Sequence, residues 1–163
     1  MRFAMLMALS IGCGEGKGGE IADCDAGGLA GIAQATVDGM EWSASGGSWS
    51  EAGSSIQINL ESTLGVSMNL RAIRSESGGS VADLVGEGSF PFVVDLAGED
   101  GSGSVMDQRT GMDPYASSQP GGWGSMSVLG LQGSTLTACF QFDAISSGGV
   151  IMEIRDGKVE IDG

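Results

Sequence analysis

Alternation of apolar and polar side chains with a period of two is what most limits how this chain can fold. Ile56, Ile58 and Leu60 alternate with Gln57, Asn59 and Glu61, and Val66, Met68 and Leu70 alternate with Ser67, Asn69 and Arg71. Phe90, Phe92, Val94 and Leu96 share one phase, as do Leu136, Ala138, Phe140 and Phe142. A period of two turns one face of a strand to a core and the other to water, the signature of antiparallel sheets. No segment carries a 3.6-residue apolar stripe. Two Asp-Gly dipeptides predict hairpins, because Asp-Gly supplies the positive φ angles of a type I′ turn. Asp38-Gly39 joins Thr36-Val37 to Met40-Glu41-Trp42, and Asp156-Gly157 joins Met152-Glu153-Ile154-Arg155 to Lys158-Val159-Glu160-Ile161. The second hairpin would set Arg155 opposite Lys158 and Glu153 opposite Glu160, like charges facing at a small cost.

Short strands divided by glycine and serine turns predict an all-β domain over residues 33–163, an antiparallel β-sandwich or partly open barrel. The expected inner residues are Val37, Trp42, Ile56, Ile58, Leu60, Met68, Leu70, Phe90, Phe92, Val94, Leu136, Phe140, Phe142, Ile154, Val159 and Ile161. A length of 163 residues suits one such domain.

The first 32 residues read differently. Arg2 supplies a positive charge, Phe3 to Leu9 form an apolar run, and Leu9-Ser10-Ile11-Gly12-Cys13 ends in small residues before a thiol. This looks like a bacterial lipoprotein signal over residues 1–12, with Cys13 acylated and made the new N-terminus. The chain is then expected to be exported and held at the cell envelope by lipid, at the outer membrane or cell surface, rather than to span a bilayer. Gly14-Glu15-Gly16-Lys17-Gly18-Gly19-Glu20 opens a polar, glycine-rich segment, so residues 13–32 are expected to be a flexible tether.

With Cys13 set apart, Cys24 and Cys139 remain as a pair for one disulfide in an oxidising compartment, the alternative being two free thiols. Cys139 shares the outer phase with Thr135, Thr137 and Gln141, so it is placed to pin the tether rather than to fill the core.

Charge and composition exclude several functions. Loss of Arg2 with the signal takes seven basic residues to six against 21 acidic ones, a net charge of −15. That field repels nucleic acid, so no nucleic-acid partner is expected. Histidine is absent, which removes Ser-His-Asp and Cys-His nucleophile systems and imidazole metal sites from within the chain. No G-x-x-x-x-G-K-[ST] phosphate loop occurs among the 30 glycines.

Ala35-Thr36-Val37-Asp38-Gly39-Met40-Glu41-Trp42-Ser43-Ala44 resembles the opening A-x-V-x-G-x-x-W-x-A of a bacterial lipoprotein family recorded only as a domain of unknown function. Gly88-Ser89-Phe90-Pro91-Phe92, the run Gly133 to Ala144, and the close Val150 to Val159 are similar to later parts of that family. The family often has Phe or Tyr after the final glycine, where this chain has Lys158 and Val159. The resemblance covers about residues 33–163. It implies a secreted β-sandwich lipoprotein and brings no catalytic residue with it.

Two groups of residues are candidates for binding. Trp49, Tyr115 and Trp123 offer aromatic surface for a glycan, the last two bracketing the longest stretch without strand pattern, within 107–123. Trp42 shares phase with Met40 and Ala44 and is expected in the core. Asp95, Glu99, Asp100 and Asp107 crowd a Gly/Ser stretch with the hard oxygen ligands that calcium takes, but without the spacing of the twelve-residue calcium loop, so a solvated acidic turn is the expectation. Calcium is the one cofactor these residues suggest. The expected function is a non-catalytic, lipid-anchored envelope module that meets a glycan or an envelope protein. A carboxylate-dependent glycan hydrolase is the alternative, followed by a calcium-stabilised adhesion domain.

Overall fold

A computed structural model of the protein describes residues 24, 29, 31–52, 55–73, 92–109 and 114–163. The signal 1–12, Cys13, most of the tether, Phe90 and the side chain of Phe92 lie outside the described residues. Every element described is a strand, all pairings are antiparallel, and the sheet curls into a half-barrel.

The first hairpin forms as the sequence predicts. β1 (Ala33–Val37) pairs with β2 (Met40–Ser43), with Ala35 opposite Trp42 and Val37 opposite Met40. Asp38 and Gly39 take φ values of 48° and 77°, the two left-handed residues of a type I′ turn. After β2 the chain bends at Ala44-Ser45. Ala44 N–H donates to the Ala33 carbonyl, and Ser45 N–H donates to the Glu61 carbonyl. Successive residues therefore bond to opposite ends of the sheet, and the bend hands the strand from β1 to β4.

Beyond it, β3 (Gly46–Ala52) pairs with β4 (Ser55–Glu61), β4 with β5 (Val66–Ile73), and β5 with β7 (Gly101–Asp107). The two-residue β8 (Tyr115–Ala116) links β7 to β10 (Thr135–Ile145), which pairs with β11 (Ile151–Asp162), which returns to β1. β9 (Trp123–Gln132) pairs with Thr135–Asp143 on the same edge of β10 that meets β8 at Ile145, and carries β6 (Phe92–Asp95) at its far edge. The strand path starts on β2 and ends on β3, two elements joined by two residues. A strand that changes sheet partners at a bend is how such sheets turn a corner.

The period-two pattern is realised. Among the expected inner residues, all those whose side chains are described are buried, and Ile58, Leu60, Leu70, Leu136, Phe140, Phe142, Ile154 and Val159 are fully so. Trp42 is in this core, its indole N–H donating to the Val66 carbonyl at 3.2 Å.

The second Asp-Gly does not make a hairpin. β11 is a single twelve-residue strand, and Asp156, at φ 52°, lies in a bulge within it. The register skips Ala35 on β1 and Gln141 on β10, so β11 carries an extra residue against both neighbours. A turn here would strip pairing from two flanking strands at once, so the positive φ that Asp accepts is used for a bulge. The like-charge pairs expected across that hairpin do not form. Glycine is required next to it for a separate reason: a Cβ on Gly157 would lie 2.4 Å from the Phe140 ring.

Cys139 is bonded to Cys24, with Cα atoms 5.9 Å apart, inside the usual disulfide range. The outward phase predicted for Cys139 holds with one correction: the bonded residue is 2% exposed, flanked by Ser127 on β9 and Lys158 on β11. Ser127 of β9, directly across from Cys139, is equally shut off, and among the described residues its hydroxyl has no hydrogen-bond partner.

Replacing Gly157 with alanine should cost about 1–3 kcal/mol or more through overpacking against Phe140. Gly130→Ala, on β9 with open space around it, should stay within about 0.5 kcal/mol of the parent. Chemical denaturation of the two variants side by side checks this, and equal stabilities would contradict the packing described.

Candidate functional site

Of the aromatic residues expected to bind together, Trp49 is set far from Trp123 by the fold, whereas Tyr115 and Trp123 stand on strands that meet neighbouring parts of one edge of β10. Trp49 sits on the inner phase of β3, opposite Ile58, and packs against the core. Its indole N–H donates to the Ser134 carbonyl at 2.7 Å, and the terminal Gly163 lies against its ring. It thereby closes β3 onto the end of the β9–β10 hairpin, where the sheet offers no ladder bonds. Trp123 pairs in register with Asp143, nine residues beyond Ser134. At a strand's rise of about 3.3 Å per residue the two tryptophans are roughly 30 Å apart. They do not share a platform.

Tyr115 is in β8, opposite Val105, and is packed against the core at half exposure. The stretch that holds it is less loop-like than its sequence suggests. Ser117 is fully buried, accepts from Gly103 N–H at 2.8 Å and donates to the Leu96 carbonyl. Asp107, also buried, takes two bonds of 2.8 Å from the Arg109 guanidinium. That side-chain hydrogen bond raises the Arg109 pKa above its ordinary value, so the cation persists at any physiological pH. Residues 110–113 lie outside the described residues.

Trp123 belongs to a different cluster, on the outer side of β9, β10 and β11. Its indole N–H donates to Asp143, and the Arg155 guanidinium stands 5.0 Å from its ring centroid. Arg155 also bonds the Asp143 carboxylate at 2.5 Å and the Phe142 carbonyl at 3.1 Å. A cation on one ring face, with the indole N–H already used, consumes much of what a sugar platform needs.

The acidic residues are also divided. Asp95 folds back on its own turn, accepting from Ala97 N–H at 2.8 Å. Glu99 and Asp100 lie in the turn between β6 and β7, and the Asp100 carbonyl accepts from Ile73 N–H. Asp107 closes the far end of β7, roughly 23 Å from Asp100 along the strand, and is held by Arg109. Among the described residues no three carboxylates or cysteines gather as a metal would require.

Two concave places have shapes that the sequence did not announce. One, of 440 Å³, lies along β1 and β2, lined by Gln34, Thr36, Glu41, Ser43 and Asp156 together with Ala35 and Trp42. The other, of 220 Å³, lies across β4, β5 and β7, where Asn59, Asn69 and Ser104 stand in register on three adjacent strands. Asn69 Nδ2 donates to Asn59 Oδ1 there. Both asparagines belong to the wet phase of the alternation, and only the strand register reveals that they meet.

No family model matches the chain, and no curated protein matches it. No solved structure matches it either.

Removing the Arg155 guanidinium leaves Asp143 half-buried without its cation and uncovers Trp123. Arg155→Ala should destabilise the domain by about 1–3 kcal/mol, the range for lost hydrogen bonds to a charged group, and should move the indole N–H resonance of Trp123. Arg155→Lys should not restore that resonance, because an ammonium cannot stack and bond in the same geometry. An unmoved resonance in both variants would remove the cluster.

Proposed function

We propose that the chain is a non-catalytic module of the bacterial cell envelope, anchored through lipid at Cys13, that meets a glycan or an envelope protein with the outer face of its half-barrel. The disulfide carries this reading. Bonds of this kind persist in oxidising, exported compartments. The pairing of Cys24 with Cys139 also leaves Cys13 as the single remaining thiol, behind Leu9-Ser10-Ile11-Gly12. Ten residues lie between Cys13 and Cys24, so the anchor lies at most about 40 Å of extended chain from the sheet. The net charge of −15 after loss of the signal keeps such a domain off anionic lipid and off its own copies. Two or three acyl chains, at about 0.8 kcal/mol per buried CH₂, hold it effectively permanently.

A carboxylate-dependent glycan hydrolase is the second reading, and the cavity along β1 and β2 is the observation in its favour. Glu41 and Asp156 both line it, on strands two spacings apart, about 10 Å between backbones. Against it stands the absence of histidine and of any carboxylate held in a dry setting beside this cavity: Glu41 and Asp156 are both exposed.

Mass spectrometry of the membrane fraction should find a chain beginning at Cys13 with a diacylglycerol thioether, and Cys13→Ser should move the protein to the soluble fraction. An unmodified chain in the membrane fraction, or cleavage elsewhere, contradicts the anchor. Incubation with isolated cell-wall polysaccharide should release no reducing ends. Release that disappears in Glu41→Gln or Asp156→Asn would put the hydrolase in the module's place.

A further inference from the structure

We infer that the outer face of β4, β5 and β7 is a binding site for a neutral sugar, with the paired amides of Asn59 and Asn69 at its centre. The inference rests on reading the chain as an exported binding module and gives that module its ligand class and its site.

Asn59, Asn69 and Ser104 stand side by side across three strands, with Ser67 next to Asn69 along β5 and opposite Met106 on β7. All four polar side chains are half-buried, and none is charged, in a protein whose formal charge is −14. Glu61 at the rim of the cavity adds a negative charge. A uronate, sialate or phosphate is repelled there, whereas a neutral polyol is not.

Geometry then narrows the ligand. The bond from Asn69 Nδ2 to Asn59 Oδ1 fixes both amides in one orientation. Among the described residues nothing else engages them, so the Asn59 NH₂ group and the Asn69 carbonyl oxygen remain as donor and acceptor on neighbouring strands, about 5 Å apart in backbone spacing. A ring bearing adjacent hydroxyls offers the complementary acceptor and donor. Ser67 and Ser104 each add a hydroxyl that both gives and accepts. Met106, 42% exposed, and Pro114 supply an apolar edge for the C–H face of such a ring. The cavity of 220 Å³ is below the roughly 300–1,000 Å³ of pockets for drug-sized ligands, which suits one sugar unit held at the surface of a longer glycan.

The test is an array of neutral and acidic glycans probed with the full chain, disulfide intact, followed by NMR of the side-chain amides with a glycan that binds. Neutral glycans should bind and acidic ones should not. The Asn59 and Asn69 amide resonances should shift in a saturable manner. Asn69→Ala, at a surface position, should weaken binding at least about tenfold, the effect of losing one or two hydrogen bonds, with a dichroism spectrum identical to the parent. Trp123→Ala should bind as the parent does. Silence from every neutral glycan overturns the site, as does binding that survives Asn69→Ala or that shifts Trp123 and leaves the amides still. Lipid at Cys13 is measured separately, so a missing sugar site leaves the anchor standing and an unmodified Cys13 leaves the sugar site standing.

Discussion

Two phenylalanine rings lying on bare backbone set the curvature of this sheet. Phe140 and Phe142 follow each other on the inner face of β10, fully buried, with ring centroids 6.4 Å apart. A Cβ on Gly157 of β11 would meet the Phe140 ring at 2.4 Å, and one on Gly103 of β7 would meet the Phe142 ring at 2.9 Å. On β9, a Cβ on Gly124 would come 2.5 Å from the Phe142 Cβ. Two strands thus give up a side chain where the rings need the room, and a third does so at the stem of Phe142. Bare glycines let the neighbouring backbones close over the rings, and burial of each ring returns about 1.5–3 kcal/mol. The bulge in β11 sits beside this contact and adds twist where the sheet must turn.

β10 organises the opposite face as well. Its outward residues include Cys139, tied to Cys24, and Asp143, which gathers Arg155 and Trp123. The disulfide closes a loop with a sequence separation of 115, for which the chain-entropy account gives about 4–5 kcal/mol. One strand therefore carries the core on one side and the covalent link to the N-terminal segment on the other. The ligand-like groove lies away from both, on β4, β5 and β7.

Much of this architecture was legible where strands have one dry face. β4, β5 and β10 alternate cleanly and were placed by that alone. β9 was not, because Gly124 to Val128 is buried continuously: β6 and β10 flank it and its outer serines are covered, so no alternation survives. β8 is too short to show a period. Asp38-Gly39 and Asp156-Gly157 look the same locally, and only the presence of strands on both sides of β11 turns the second into a bulge. The phase of Cys139 and the odd count of cysteines anticipated the disulfide. Trp49 does not join Trp123, since the two are used at different ends of β10. The Asn59–Asn69 pair depends on cross-strand register, which no single strand's pattern encodes.

The division of the three cysteines is the point on which fold and function meet, and peptide mapping reads it directly. Protein extracted from the envelope without reductant and digested with trypsin should yield the segment 18–71 joined to the segment 110–155. That product holds Cys24 and Cys139. The peptide with Cys13 should be separate from it and heavier by its lipid. A bond from Cys13 to either other cysteine, or free thiols at Cys24 and Cys139, would contradict the account.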